Sequence, residues 1–191
     1  MLRTTTPANV DPVSLDEAKA HLRVDFPDDD ALITAFVSAA TLQAQSLTQR
    51  RFVMQTVEWV LECWRPRICL PIAPVAKDGV NSIKYVDWAT QTQQTLDPSL
   101  YVVQTEGYSV AIIPKFATIW PLLFAWSPEP IVINFNVGEA VDKVPSNVKA
   151  AIKLIVGHLY ENRQAVVVDA SRVQAIELPQ GVEALLMSEL W

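Results

Sequence analysis

Proline placement constrains this chain more than any other feature. None of its 13 prolines lies between Pro27 and Pro66 or between Pro145 and Pro179, while nine fall from Pro66 to Pro145. Proline lacks a backbone N–H and clashes with the preceding helical turn, so the outer parts can be helical and the middle cannot. The expected class is α+β: a helical core made by the two ends of the chain, with a small antiparallel β domain inserted between them. The corresponding divisions are 1–52 for the N-terminal helices, 53–143 for the inserted strands, and 144–191 for a C-terminal helix, an extended arm and a terminal helix.

Within the first division, Ser14 and Glu17 form a capping box, so a helix is predicted from about Leu15 with Ala18, Leu22 and Leu15 on one face. Pro27 forbids its continuation and biases Phe26 out of the α region. Asp28, Asp29 and Asp30 then fall at the cap and first turn of a second helix, where carboxylates meet the positive end of the macrodipole. That helix carries an apolar stripe of Leu32, Ile33, Phe36, Val37, Ala40, Ala44 and Leu47. The opposite side holds Thr34, Ala35, Ser38, Thr41, Gln45, Ser46 and Gln49, and no charge occurs from Ala31 through Gln49. A solvated face normally carries Lys and Glu, so a neighbouring helix or subunit is expected to cover this one.

The middle reads as strands at 55–64, 81–88, 100–104, 108–114 and 130–138, with turn signals at Asp78-Gly79, Asp97-Pro98 and Glu106-Gly107. Tight connections between five short strands imply an antiparallel sheet or barrel. Ser146 is expected to cap a third helix with Val148, Ala151, Ile152, Ile155 and Leu159 as its stripe. An arm or hairpin follows Arg163, and the last helix, "GVEALLMSELW", places Val182, Leu185, Leu186 and Leu190 on one side.

Composition narrows the function classes. The charged fraction is 19% against 50% hydrophobic, an apolar balance for a lone domain, and implies surface buried against other subunits. A net charge of −6 argues against gripping nucleic acid through a basic face. The opening "MLRTTTPANV" lacks the apolar core of an export signal, so a cytoplasmic origin is expected. The longest apolar run, "IWPLLFAW" at 119–126, is too short to span a bilayer. Cys63 and Cys69 match no usual zinc or redox spacing and are expected to be buried free thiols.

No common active site is visible. His21 and His158 sit on different predicted helices, and His158 with Glu161 alone does not make a di-iron site. A Gly-rich phosphate loop and a nucleophile elbow are both missing. Glu58 and Glu62 share a strand face and read as solvated. Of the six tryptophans, four lie in strand patterns or the adjoining Trp-Pro loop and are expected to serve packing or subunit contacts, and Trp191, at the last position, to dock on a partner.

These residues in this order resemble the tailed-phage head-tail connector (adaptor) proteins, a part also used by gene transfer agents. The resemblance rests on "PVSLDEAKAHLRVDFPDDDALI", "LTQRRFVMQTVEW", "LPIAPV", "SIKYVD", "WP" at 120, "VPSNVKAAIKLIVGHLYENRQAV" and "LPQGVEALL". Gln49 stands where the family's Thr-Gly-Arg turn has glycine, and "PLLFAW" is more apolar than the corresponding loop. The resemblance implies a structural subunit without catalysis, metal or cofactor, in a ring usually of twelve copies beneath the portal protein. Such a ring sits at the head-tail interface of the virion and extends the channel through which dsDNA passes without sequence-specific binding. Its other face meets the next neck or tail protein, and no membrane is involved.

On this reading Leu178, Leu185, Leu186, Leu190 and Trp191 are portal or partner contacts, while Thr34, Ser38, Thr41 and Gln45 lie between subunits. Asp28, Asp29 and Asp30 cap a helix first and add negative potential near the channel or an inter-ring face second. The alternatives are a tail-completion or terminator protein, which should be dominated by strands, an enzyme hidden among the carboxylates, and a helical DNA-binding protein, for which no basic recognition helix exists.

Overall fold

The computed structural model describes residues 1–107, 109–162, 168–169, 172–173 and 180–187. The chain divides into two compact units, each built from discontinuous stretches: Met1–Asn9 with Arg50–Ala140, and Val10–Gln49 with Val141–Trp191. The fold class is α+β, as the proline distribution predicts.

The first unit is made of strands. β1 (Leu2–Thr6), β2 (Gln55–Leu61), β8 (Ile131–Val137), β4 (Val75–Val86) and β5 (Gln93–Thr95) form a five-stranded sheet in that spatial order. A three-stranded sheet holds β3 (Ile68–Cys69), β7 (Ser109–Pro114) and β6 (Tyr101–Glu106), and all these pairings are antiparallel. One hydrophobic cluster draws on both sheets, with Val57, Ile83, Ile133 and Phe135 from the first and Ile68, Val110 and Ile112 from the second. The cause is period-two alternation. In β8, Ile131, Ile133, Phe135 and Val137 are buried; of the alternate positions Asn134 and Asn136 are only partly so, while Val132 is buried as well.

Those two asparagines belong to a polar ladder on the outer face. Thr56 Oγ1 donates to Asn136 Oδ1 at 2.9 Å, Asn81 Nδ2 to Asn134 Oδ1 at 2.8 Å, and Asn134 Nδ2 to Glu58 Oε1 at 3.3 Å. These bonds link β2, β8 and β4 across that face by cross-strand side-chain pairs.

Three details depart from the sequence reading. β1 was not foreseen, because "LRTTT" has no alternating apolar residues; pairing to β2 and its Arg3 side chain hold it instead. Asp78-Gly79, expected as a turn, lies inside β4, where the register against β8 shifts between Val75 and Val80. Irregularities there and between Val80 and Ser82 absorb the extra residues and the strand continues. The short β3 and β5 were also missed, having too few residues for a pattern.

The second unit is helical. α1 (Leu15–Leu22) begins with the predicted capping box: Ser14 Oγ accepts from Glu17 N, and Glu17 Oε2 accepts from Ser14 N. It ends before Pro27 is reached, at Arg23 in the left-handed region, where Arg23 N donates to the Ala20 carbonyl and Val24 N to that of Lys19. α2 (Asp30–Thr48), α3 (Ser146–Glu161) and α4 (Gln180–Met187) complete the set. Ser146 is the first residue of α3 rather than its cap, a difference of one position that leaves Pro145 at the cap. The unit's core contains Ala18, Ile33, Val37, Ala40, Ala44, Val148, Ala151, Ile152, Ile155, Val182 and Leu186. Beyond α3, Val168–Asp169 (β9) pairs antiparallel with Arg172–Val173 (β10), within the segment predicted as an arm or hairpin.

Candidate interaction surfaces

Asp28, Asp29 and Asp30 stand at the start of α2, as expected, but their side chains do other work. Asp29 occupies the cap position without a side-chain bond to the helix; its Oδ2 accepts from Tyr160 Oη of α3 at 2.6 Å. Asp30 accepts from Lys19 Nζ of α1, which also donates to the Phe26 carbonyl at 2.9 Å. Asp28 is exposed. Two of the three acids therefore tie the beginning of α2 to α1 and α3, and charge at the macrodipole is the secondary effect.

α2 does not follow its predicted stripe throughout. Ile33, Val37, Ala40 and Ala44 are buried, but Leu47 is exposed, and Thr41 and Gln45, placed between subunits by the sequence reading, are buried within their own subunit. Thr41 Oγ1 has no hydrogen-bond partner among the described residues. Ser38 is half-buried and donates to Asp11 Oδ2 at 2.8 Å, while Thr34 is exposed and bonds the Asp30 carbonyl. The physical reason is size: Ala, Ser and Thr flank the apolar residues on both sides, so close helix packing can rotate the buried arc at little cost. The outward face is then Ala35, Ala39, Leu42, Gln43, Ser46 and Leu47, without a charge.

At the C-terminal end, Leu186 is buried in the helical unit, Leu185 is half-buried, and its carbonyl accepts from Asn147 Nδ2. Leu178, Leu190 and Trp191 lie outside the described residues.

Several chemical candidates resolve into structure. Cys63 and Cys69 are free but exposed, contrary to the burial expected of them: Cys63 follows the end of β2, and Cys69 points outward from the two-residue β3. Glu58 bonds Arg3, which also pairs with Glu129, so this carboxylate holds β1 in place. The Arg3 hydrogen bond keeps Glu58 below its ordinary pKa, and bonds to Glu129 and Glu58 push the guanidinium above its own. Backbone N–H donors at Thr90 and Ser99 lower Asp87 and Asp97, both of which organise turns. Burial raises the Tyr101 phenol and lowers Arg51. Among the described residues no group of three or more His, Cys, Asp and Glu could hold a metal, and no helix is long and apolar enough to cross a membrane.

The tryptophans separate into two kinds. Trp64 and Trp120 stack at 4.8 Å, and their Nε1 atoms donate to the Pro121 and Arg65 carbonyls at 3.0 and 2.8 Å. Trp59 packs against the strand core. Trp88 and Trp126 are exposed, together with Phe116, Ile119 and Leu122 of the β7–β8 connection. Sequence reasoning singled out the apolar run at 119–126 and gave Trp88 a packing or contact role, but missed Phe116. The legible signal was the lack of any charge between Lys115 and Glu129.

Comparison with known proteins now bears on this geometry. The family model for phage gp6-like head-tail connector proteins matches residues 12–70, which include α1, α2 and β2. Among solved structures, a chain from the neck of an empty gene transfer agent particle computed with C6 symmetry is similar with a TM-score of 0.77 and 22% identity, covering 98% of this chain and 94% of that one. A chain from the virion of a native gene transfer agent particle gives 0.79 at 22% identity, with 98% and 94% covered. A chain from the native neck computed with C12 symmetry gives 0.75 at 22% identity, with 98% and 93% covered. No curated protein sequence matches.

The fold is thus one shared with chains of gene transfer agent necks and virions. The connector model agrees with the sequence resemblance over the stretch from α1 through β2, and the shared fold extends over nearly the whole chain.

Proposed function

We propose that this chain is a subunit of a closed ring at the head-tail interface, beneath the portal protein, which prolongs the DNA channel and joins the head to the next neck or tail protein. The observation that carries the reading is the coincidence of the connector match at 12–70 with a neck-chain fold shared over 98% of the residues. Twelve copies are proposed, since similar chains occur in necks computed with C6 and C12 symmetry. The action is binding and geometry, without catalysis or cofactor, and assembly takes place in the cytoplasm before the ring becomes part of the particle.

In this arrangement the helical unit forms the ring wall and the strand unit faces outward or toward the tail. The segment from Gln164 through Leu178 to Leu190 and Trp191 engages the portal, together with Leu185. The exposed side of α2, including Thr34 and Leu42, supplies one half of the contact between subunits. The net charge of −6 suits a channel through which phosphates must pass without being held.

Electron microscopy of the purified chain mixed with the portal of its own particle tests this. A ring that joins the portal, and that fails to join after truncation at Leu178, is the expected result. A folded chain that makes neither ring nor portal complex would overturn the connector role and favour a tail-completion protein.

A further inference from the structure

Resting on the ring reading above, we propose that the β7–β8 connection, residues 115–129, is a docking element whose occupant is a neighbouring copy of this chain, received on the uncharged outer face of that copy's α2. Four large apolar side chains are held out in this short stretch: Phe116 is 100% exposed, Ile119 90%, Trp126 83% and Leu122 76%. Trp88, at the adjoining β4–β5 turn, is also exposed. A soluble surface seldom tolerates such a cluster unless something covers it.

The stretch is preorganised. Lys115 N donates to the Leu100 carbonyl at 2.9 Å, Trp88 N to that of Leu122 at 3.2 Å, and Phe124 N to that of Val86 at 2.9 Å. The Trp64–Trp120 stack and its two indole hydrogen bonds clamp the middle. The backbone is therefore fixed by the strand unit while the apolar side chains point away from it, which lowers the ordering cost of docking.

Area and symmetry select the occupant. Aromatic side chains bring roughly 150–250 Å² each. Three of them with Ile119 and Leu122 approach the approximately 800 Å² per partner of a standard interface. A closed ring of more than two copies needs two unlike surfaces per subunit, one to give and one to receive. The chain carries a second surface of matching character: α2 has no charge from Ala31 through Gln49 and presents Leu42, 66% exposed, beside Ala35, Ala39 and Ser46. An apolar element docking there buries no unpaired charge.

The test uses the full-length chain with the portal of its own particle. A photocrosslinking phenylalanine derivative replaces Ile119 in unlabelled chains, which are assembled with ¹⁵N-labelled unsubstituted chains, and adducts are mapped by mass spectrometry. Adducts on α2 of labelled copies are expected. In parallel, the Phe116→Ser/Ile119→Ser variant should require at least about tenfold more protein to form rings, while Val102→Ser, at another exposed apolar position, should not. An unchanged circular dichroism melt would establish that the double variant is folded. Adducts on the portal, or rings formed by the folded double variant at the unsubstituted concentration, overturn the inference and leave the ring intact. If the unsubstituted chain forms no ring with the portal, the functional reading fails first.

Discussion

The strand unit and the helical unit bury their cores by different degrees of patterning. In β8 the inward positions are Ile131, Ile133, Phe135 and Val137, and the outward asparagines are tied into a ladder with Thr56, Asn81 and Glu58. A register slip by one residue would exchange those sets and expose Phe135, so the arrangement is strongly specified. α2 is specified less by its own residues. It buries Thr41, Gln45 and Thr48 and leaves Leu42 and Leu47 outside. Small side chains permit close packing on more than one arc, and the choice among arcs falls to α1 and α3 through Lys19–Asp30 and Tyr160–Asp29.

The largest effects should come from breaking each core separately. Phe135→Ala should destabilise the strand unit by about 3–5 kcal/mol, and Ile152→Ala the helical unit by about 2–5 kcal/mol. Native-state hydrogen exchange provides the reading, because each variant should lower protection chiefly in its own unit. Equal losses in β8 and α3 from either substitution would mean that the two units unfold together, and the contrast between them would lose its energetic meaning.

A smaller effect, opposite in sign, sharpens the helical side. Gln49 ends α2 at φ 54° and ψ 27°, in the left-handed region. That conformation costs an ordinary residue roughly 1–2 kcal/mol and costs glycine almost nothing. The Gln49 Nε2 bond to the Ser46 carbonyl, at 2.7 Å, offsets part of the cost. Gln49→Gly should therefore stabilise the chain by up to about 1 kcal/mol in chemical denaturation. A loss of stability would show that the side-chain bond outweighs the backbone strain.

This position also illustrates how much was legible. The resemblance placed a glycine turn at residue 49, and the backbone kept the turn although the glycine is absent. The capping box at Ser14, the α3 stripe and the main strands were readable because local pattern and tertiary burial agree there. β1 was not, since its hold on the sheet comes from residues more than 50 positions away, Glu58 and Glu129. Thr41 and Gln45 were misplaced because a helix without charges has no marked solvent side. The exposed thiols of Cys63 and Cys69 likewise depend on which way short strand ends turn, which composition does not encode. Of the candidate surfaces, the apolar character of 121–126 was visible, but its rigid presentation depends on Trp64 and Val86, distant in sequence.

The smallest expected effect concerns how β1 is held. Glu58 is kept below its ordinary value of 4.5 chiefly by the hydrogen bond from Arg3. A carboxyl depressed in the folded state contributes stability that is fully present above the unfolded value, and that fades as pH falls through the folded one. Acidification below 4.5 should therefore loosen β1 before the β2–β8 ladder gives way, since that ladder rests on buried side chains rather than charge. Exchange of the Val60 amide, which donates to the Met1 carbonyl at 2.8 Å, reports it. Asp87 and Asp97 are also depressed, but they serve the β4–β5 turn and the approach to β6, so their protonation should leave the Val60 amide unchanged. Glu58→Gln separates the sources: it should remove most of the acid response at Val60 while preserving the response near Thr90. If the response at Val60 survives that substitution undiminished, the Arg3–Glu58 bond is not what holds β1 to the sheet.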